Sequence, residues 1–372
     1  MLYIIILLIF ILLMISRIQG FDQDKKMVFC LSILWILATF RSTSVGNDTS
    51  VYYDLFKRIA SNGITQAHIW RYEYGYLFLN LLVSCFTDNF TVFLFIINSF
   101  IYFTYYRYIK QNSQDPVFSV ILFMCLGFFG QTMNIIRLQL AISCCLWADM
   151  VKEKATKKRY YILIAAFILA ACMFQRIALI YAVVFILPPK ISARLNVMLF
   201  LAAVGVMVFF DRIIAIALKF FPYFSIYVDG TGSGTYRVGD IQIATIIIIM
   251  IQFLTYLFSY YTCKLNKRNK YDVSEATEKL LAYDTNKLLM AFLISLVSLQ
   301  FNLLDRCANF FWISSIVSIP EMIYIYVYQN NNNHSVLRFG MIVFALAYFG
   351  VLTFYKTDWN MIYPYTSVIF GG

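Results

Sequence analysis

Charge is scarce in this sequence. Only 13% of its 372 residues are charged, against ~25% in ordinary soluble domains, while 61% are hydrophobic and the mean hydropathy is +0.73. So few polar side chains cannot coat a water-facing surface of this size. That excludes a soluble enzyme and a disordered chain, and apolar runs along the whole length exclude a one-helix anchor. Histidine is scarcer still, with His68 and His334 alone. No His/Cys/Asp/Glu set has metal-ligand spacing, no Gly-x-Ser-x-Gly elbow occurs, and the eight cysteines are scattered without a CxxC pair. A metalloenzyme, a serine hydrolase and a disulfide scaffold are therefore unsupported, and neither a metal nor a cofactor is expected. The glycine-rich stretch from Tyr227 to Arg237 lacks the GK[ST] ending of a phosphate-cradling Walker loop. It reads as an external loop or a substrate lid. The N-terminus has no basic region ahead of its apolar run, so it reads as a retained first span rather than a cleaved signal peptide.

Long apolar runs are what the sequence does have. They exceed ten residues without the alternation of a transmembrane barrel strand, and a helical span takes about 20 residues. The expected fold is all-α: a polytopic helical membrane protein with about 12 spans and a re-entrant or half helix. No repeat, linker or soluble insert divides it, so residues 1–372 read as a single integral-membrane domain.

The net charge of +11 could suggest nucleic acid as a partner. In a membrane chain, basic connections instead mark the cytoplasmic side, and no nucleic-acid role is expected. Lys and Arg cluster at Arg107/Lys110, Lys152 to Arg159, Lys190/Arg194, Lys264 to Lys270, and around Arg338. Two crossings, or one apolar hairpin, separate each consecutive pair, so all five fall on one face. The runs 160–174 and 176–187 form such a hairpin, with a tight outer turn at Gln175-Arg176. If Lys25 and Lys26 put 20–26 inside, 41–73 is outside. Runs 74–87 and 90–106 must then make one crossing together, which predicts a half helix at 74–87.

Against this frame, arginines recur on the disfavoured outer face: Arg41, Arg137, Arg176, Arg237 and Arg306. Asp48, Glu73, Gln131, Asn134, Gln139, Gln175, Asp305 and Asn309 accompany them. Each arginine alone could serve a structural ion pair, as Arg306 with Asp305 or Arg41 with Asp48. As a set they outnumber nearby acids, and guanidinium suits bidentate phosphate binding. The reading is a pocket for a phosphorylated, lipid-anchored ligand at the outer leaflet. Aromatics such as Tyr52, Tyr74, Tyr76 and Tyr236 could stack on sugar rings, although interfacial belts account for most of the 19% aromatic content.

Several segments carry a resemblance. Phe40-Arg-Ser-Thr-Ser-Val-Gly-Asn-Asp-Thr-Ser-Val-Tyr52 resembles the R-x3-VG-x-D-x3-Y signature of EpsG-like (Wzy-type) polysaccharide polymerases. Glu73-Tyr-Gly-Tyr resembles their E-x-G-[FY] segment, and Asn134-Ile-Ile-Arg-Leu-Gln-Leu-Ala141 their N-x-x-R…A helix start. Phe174-Gln-Arg-Ile-Ala-Leu-Ile180 resembles the F-H-x-[ST]-A-L-I turn, with Gln175 in place of the family histidine. Arg306 followed by Phe310-Phe311 resembles a late R-x3-[YF]-F element. The likeness runs from about residue 38 to the C-terminus.

The resemblance implies a metal-independent membrane glycosyltransferase, a hexosyltransferase-type polymerase of exopolysaccharide, capsule or O-antigen repeat units. The donor would be an undecaprenyl-pyrophosphate-linked oligosaccharide, and the acceptor hydroxyl of a second lipid-linked unit would displace the pyrophosphate with inversion. It further implies the bacterial inner (cytoplasmic) membrane, multiple passes through the lipid bilayer, and an active site on the outer face. A chain-length regulator and a flippase of the same pathway are the partners it suggests. Arg137, Arg176 and Arg306 would hold the pyrophosphate, with Arg41 and Arg237 as secondary contacts, and Asp48 or Glu73 would orient or deprotonate the acceptor. Tyr52, Asn134, Gln139 and Gln175 complete the expected substrate-binding set. Two other readings share the features: a glycan ligase using the same donor, and a polysaccharide-lipid transporter or flippase. A transporter would place charges at the bilayer midplane and show an internal repeat.

Overall fold

The computed structural model describes residues 2–16, 18–152, 158–188, 192–220, 243–269, 275–301, 304–330, 334–355 and 360–369. Arg237, Tyr236 and Lys190 lie outside the described residues. Among the described residues the structure is helical, an isolated antiparallel bridge between Arg41 and Ser367 apart. The chain falls into two compact units, Met1–Leu179 with Asn333–Gly372, and Ile180–Asn332.

The first unit holds α1 (Leu2–Ile15), α2 (Gln23–Thr39), α3 (Thr49–Asn62), α4 (Gln66–Arg71), α5 (Tyr74–Ser84), α6 (Phe90–Asn112), α7 (Pro116–Cys125), α8 (Phe128–Asn134), α9 (Ile136–Lys152) and α10 (Lys158–Phe174), with the later helix His334–Gly350. Polar residues start these helices by taking up orphan backbone N–H groups. Asp22 accepts from Lys25 at 2.9 Å before α2, and Asn89 from Thr91 at 2.8 Å before α6. Asp115 accepts from Phe118 at 3.2 Å before α7, with Pro116 at the first helical position. Every residue of α7 from Val117 to Cys125 is buried, packed against α1, α2 and the helix His334–Gly350, with Phe123 against Tyr102 and Tyr105 of α6. Leu8, Leu12, Phe78, Phe103, Ile162 and Leu169 point outward, as helices against lipid tails require.

Ion pairs mark one end of this unit. Lys110 meets Asp24 at 2.7 Å, joining the end of α6 to the start of α2. Arg338 meets Asp115 at 2.5 Å, joining the start of His334–Gly350 to the start of α7. Gln111 donates to the Met150 carbonyl at 3.4 Å, bringing the end of α9 to the same place. This is the basic end. The opposite end carries the segments quoted above: the close of α2, the starts of α5, α6 and α9, and the close of α10.

The second unit holds α11 (Val183–Ile186), α12 (Ala193–Val208), α13 (Phe210–Phe220), α14 (Ile243–Asn269), α15 (Glu275–Ser298), α16 (Asp305–Trp312) and α17 (Ser315–Asn330). Its interior contains charge. Lys287 pairs with Asp284 at 2.6 Å with both side chains nearly inaccessible, Ser318 donates to the other Asp284 oxygen at 3.2 Å, and the Lys287 ammonium lies 4.7 Å from the Tyr283 ring centre.

The span count differs from the expectation. Among the described residues four helices are long and apolar enough to cross a bilayer, or up to seven if each of three bent pairs is one span; about twelve is not confirmed. Runs that look continuous in sequence are cut by bends. α7 and α8 meet at 59° around Gly127, whose φ of +86° suits glycine, α12 and α13 at 75°, and α16 and α17 at 44°. Other apolar helices stay short. α5, at 11 residues, reaches about 16 Å, half of the ~30 Å hydrocarbon core, whereas the 23-residue α6 is itself a candidate span.

Candidate active site

Glu73, Arg137 and the backbone of Arg176 converge at the motif end of the first unit. Arg137 is the second residue of α9, where the unsatisfied N–H groups of a helix start make a cation unfavourable. A counter-charge is supplied from elsewhere: Glu73 Oε2 lies 2.6 Å from the guanidinium, with side-chain exposures of 13% and 19%. The Tyr72 ring centre is 5.0 Å from the same guanidinium, and Tyr52 hydrogen-bonds it. The second Glu73 oxygen accepts the backbone N–H of Arg176 at 3.4 Å. One carboxylate thus ties the start of α5 to the start of α9 and to the turn after α10. All three groups stay reachable from outside, and the Arg176 side chain is exposed.

Gly75 makes that reach possible. A Cβ there would come within 2.7 Å of both the Cβ and the carbonyl oxygen of Met173. The missing side chain lets α5 press against the end of α10, which lands Glu73 on Arg176. At Gln175, half-buried, the chain leaves α10 and continues as a 3-10 helix, Arg176–Ala182.

The Arg41–Tyr52 segment is built as a tight turn seated on the end of α8. Gly46 has φ +92°, and a Cβ would strike Thr49 Oγ1 at 2.7 Å and the Met133 carbonyl at 2.8 Å. Thr49 Oγ1 donates to the Val45 carbonyl at 2.7 Å and to Met133 at 3.1 Å. The Asp48 N–H donates to Asn134 Oδ1 at 3.0 Å, leaving the half-buried Asp48 carboxylate at the start of α3. Tyr52 packs edge-on to Tyr76 at 5.7 Å. Asn134 therefore positions the turn, while Tyr52 reaches the arginine.

Arg41 and Gln139 face inward. Arg41 is 2% exposed and donates to the Ala38 carbonyl and, at 3.0 Å, to the Met133 carbonyl. A cation closing the last turn of a helix suits both the free carbonyls and the dipole. Gln139 is fully buried between Tyr105, whose hydroxyl donates to it at 2.6 Å, and Gln131, which accepts from it at 3.2 Å. Arg306 belongs to the second unit, half-buried in the first turn of α16. Arg237 lies outside the described residues.

Two contributors escaped the sequence reading. Tyr72 had its signal in an aromatic directly before the acid. The segment 360–369 had none, yet it is laced to the motif turn. Ser42 N–H donates to Thr366 O at 3.0 Å, Val368 N–H to Phe40 O at 3.0 Å, and Gly46 N–H to Met361 O at 2.9 Å. Tyr3 and Tyr365 hydroxyls donate to Ile362 O and Leu37 O.

Neither the curated proteins nor the solved structures contain a match to this chain. The EpsG family model matches residues 25–367, a span that includes every motif just located. Coverage of nearly the whole chain, with the family's acid, glycines and arginine gathered at one end of a helical membrane unit, places this protein in the EpsG family of Wzy-like polymerases.

Proposed function

We propose that the protein extends a surface polysaccharide, transferring a glycan from its polyprenyl-pyrophosphate carrier to the hydroxyl of a second lipid-linked unit. The observation that carries this reading is the Glu73–Arg137 pair, reachable and bound to the turn at Arg176. Arg137 is neutralised by Glu73 until a stronger anion arrives. A pyrophosphate offers more charge and bidentate geometry, so it would take over the guanidinium, with the Arg176 side chain beside it. Glu73, released from the pair, would then accept the proton of the attacking hydroxyl. Gln175 cannot do that, having no basic site. As the anomeric bond breaks, charge grows on the leaving phosphate, where a fixed guanidinium is most effective. The motif end would face the outer leaflet, opposite the basic end, in keeping with the positive-inside rule.

Cells carrying Arg137→Ala should insert the protein normally but make single-unit glycan only. Arg137→Lys should also impair extension, because an ammonium cannot make the forked contact. Long chains in both variants would refute the reading, and accumulation of finished lipid-linked chains would favour the ligase. Arg306→Ala is tested separately in the same assay: loss of extension keeps Arg306 in the reaction, and normal chains remove it.

A further inference from the structure

A second site opens on the other side of α3. A cavity of about 370 Å³ is lined by Tyr53 and Lys57 of α3, by Asp88, Asn89 and Thr91 around the start of α6, and by the buried Arg41. That volume lies within the ~300–1,000 Å³ of small-ligand sites, with room for a monosaccharide unit and little more. We propose that it is a saccharide subsite, holding one sugar residue of the glycan while a neighbouring residue reacts. This rests on the glycan-polymerising reading above.

The lining carries the argument. Tyr53 is held perpendicular to Phe90, ring centres 5.4 Å apart, which fixes an aromatic wall of the kind on which the apolar face of a pyranose stacks. Lys57 and Asp88 lie 3.5 Å apart, 39% and 82% exposed. An exposed pair this loose is worth little, so both groups can exchange each other for sugar hydroxyls, one as donor and one as acceptor. Arg41 closes the inner wall of the cavity, its guanidinium held by the Ala38 and Met133 carbonyls. The density of polar groups disfavours a lipid tail. A neutral polyol with one apolar face fits all of these. Tyr52 and Tyr53 are successive residues about 100° apart round α3. The helix thus shows one face to Arg137 and the next to the cavity, within the reach of a short oligosaccharide.

The test uses the full chain in lipid nanodiscs. The probe is oligosaccharide released by partial hydrolysis of the polysaccharide made by cells carrying the protein, and binding is read by saturation-transfer NMR. Wild type should bind. Tyr53→Ala and the surface variant Asp88→Ala should each weaken binding about tenfold, while Tyr53→Phe, which keeps the ring, should stay close to wild type. All variants should elute as a single species. Unchanged binding in both alanine variants, no binding by wild type, or displacement of the probe by inorganic pyrophosphate would each overturn the subsite. Arg137→Ala separates the two readings, since it should bind the probe normally while failing to extend chains. If it extends chains and Tyr53→Ala still loses the probe, the reaction reading fails and the subsite stands.

Discussion

Gly75→Ala sets two physical effects against each other. By helix propensity alone the change should help, because alanine in a helix is favoured over glycine by about 0.5–1 kcal/mol. The contact decides the sign. The added Cβ would meet the Cβ and the carbonyl oxygen of Met173 at 2.7 Å each, far inside van der Waals distance. One of those atoms is backbone, so no rotamer change relieves it. Overpacking of this kind costs about 1–3 kcal/mol, and the cheapest escape is for α5 to move away from α10. That motion lengthens the 3.4 Å link from Arg176 N–H to Glu73 and disturbs the 2.6 Å pair with Arg137. A charged hydrogen bond is worth about 1.5–3 kcal/mol, and a reacting group misplaced by ~1 Å can cost ~10²-fold in rate. The expected result is a protein that inserts at near-normal level, melts a few degrees lower, and extends glycan roughly a hundredfold more slowly. Chain length on gels and thermal melting of purified protein measure both. Met173→Ala should not rescue it, since alanine keeps the Cβ and the carbonyl; Met173→Gly should rescue it in part. Wild-type chain length and melting in Gly75→Ala would show that α5 does not depend on this approach.

Arg41→Ala should lower the amount of folded protein rather than yield a well-inserted inactive enzyme. It removes the donors to Ala38 and Met133 inside the turn, at about 1–3 kcal/mol for each group left unmet; abundance and melting temperature report it. In the second unit, Asp284→Ala removes the acid 2.6 Å from the buried Lys287 ammonium and should destabilise by about 3–5 kcal/mol. The double change Asp284→Leu with Lys287→Met should recover most of that loss, and a double variant no more stable than the single one would argue against the pair as the cause.

The sequence was most informative where chemistry and spacing coincide. Glu73, Arg137 and Arg176 are separated widely in sequence, yet each was legible as an acid or arginine at the edge of an apolar run, and the structure brings them together. Arg41 shows where such reading stops. That it holds the Ala38 and Met133 carbonyls depends on where those carbonyls lie in the fold, which nothing beside it in the sequence marks. Gln139 is similar, since its burial between Tyr105 and Gln131 depends on how α6 meets α9. Span number was obscured because hydropathy registers apolar content and not direction. The bends at Gly127, between Val208 and Phe210, and between Trp312 and Ser315 leave the composition unchanged. Pairing of Ser42 with Thr366 across 324 positions leaves no local trace at all.

That pairing also orders events during synthesis. Ser42 leaves the ribosome 324 positions ahead of Thr366, so the turn bearing Arg41 and Gly46 is made well before the strap, residues 360–369, that fastens it. Until then Gly46 N–H, Phe40 O and the Leu37 carbonyl have no strap to bond. A nascent chain therefore carries its motif turn unlatched until residues 360–369 have been made, and the turn takes its final shape only after the helices in between.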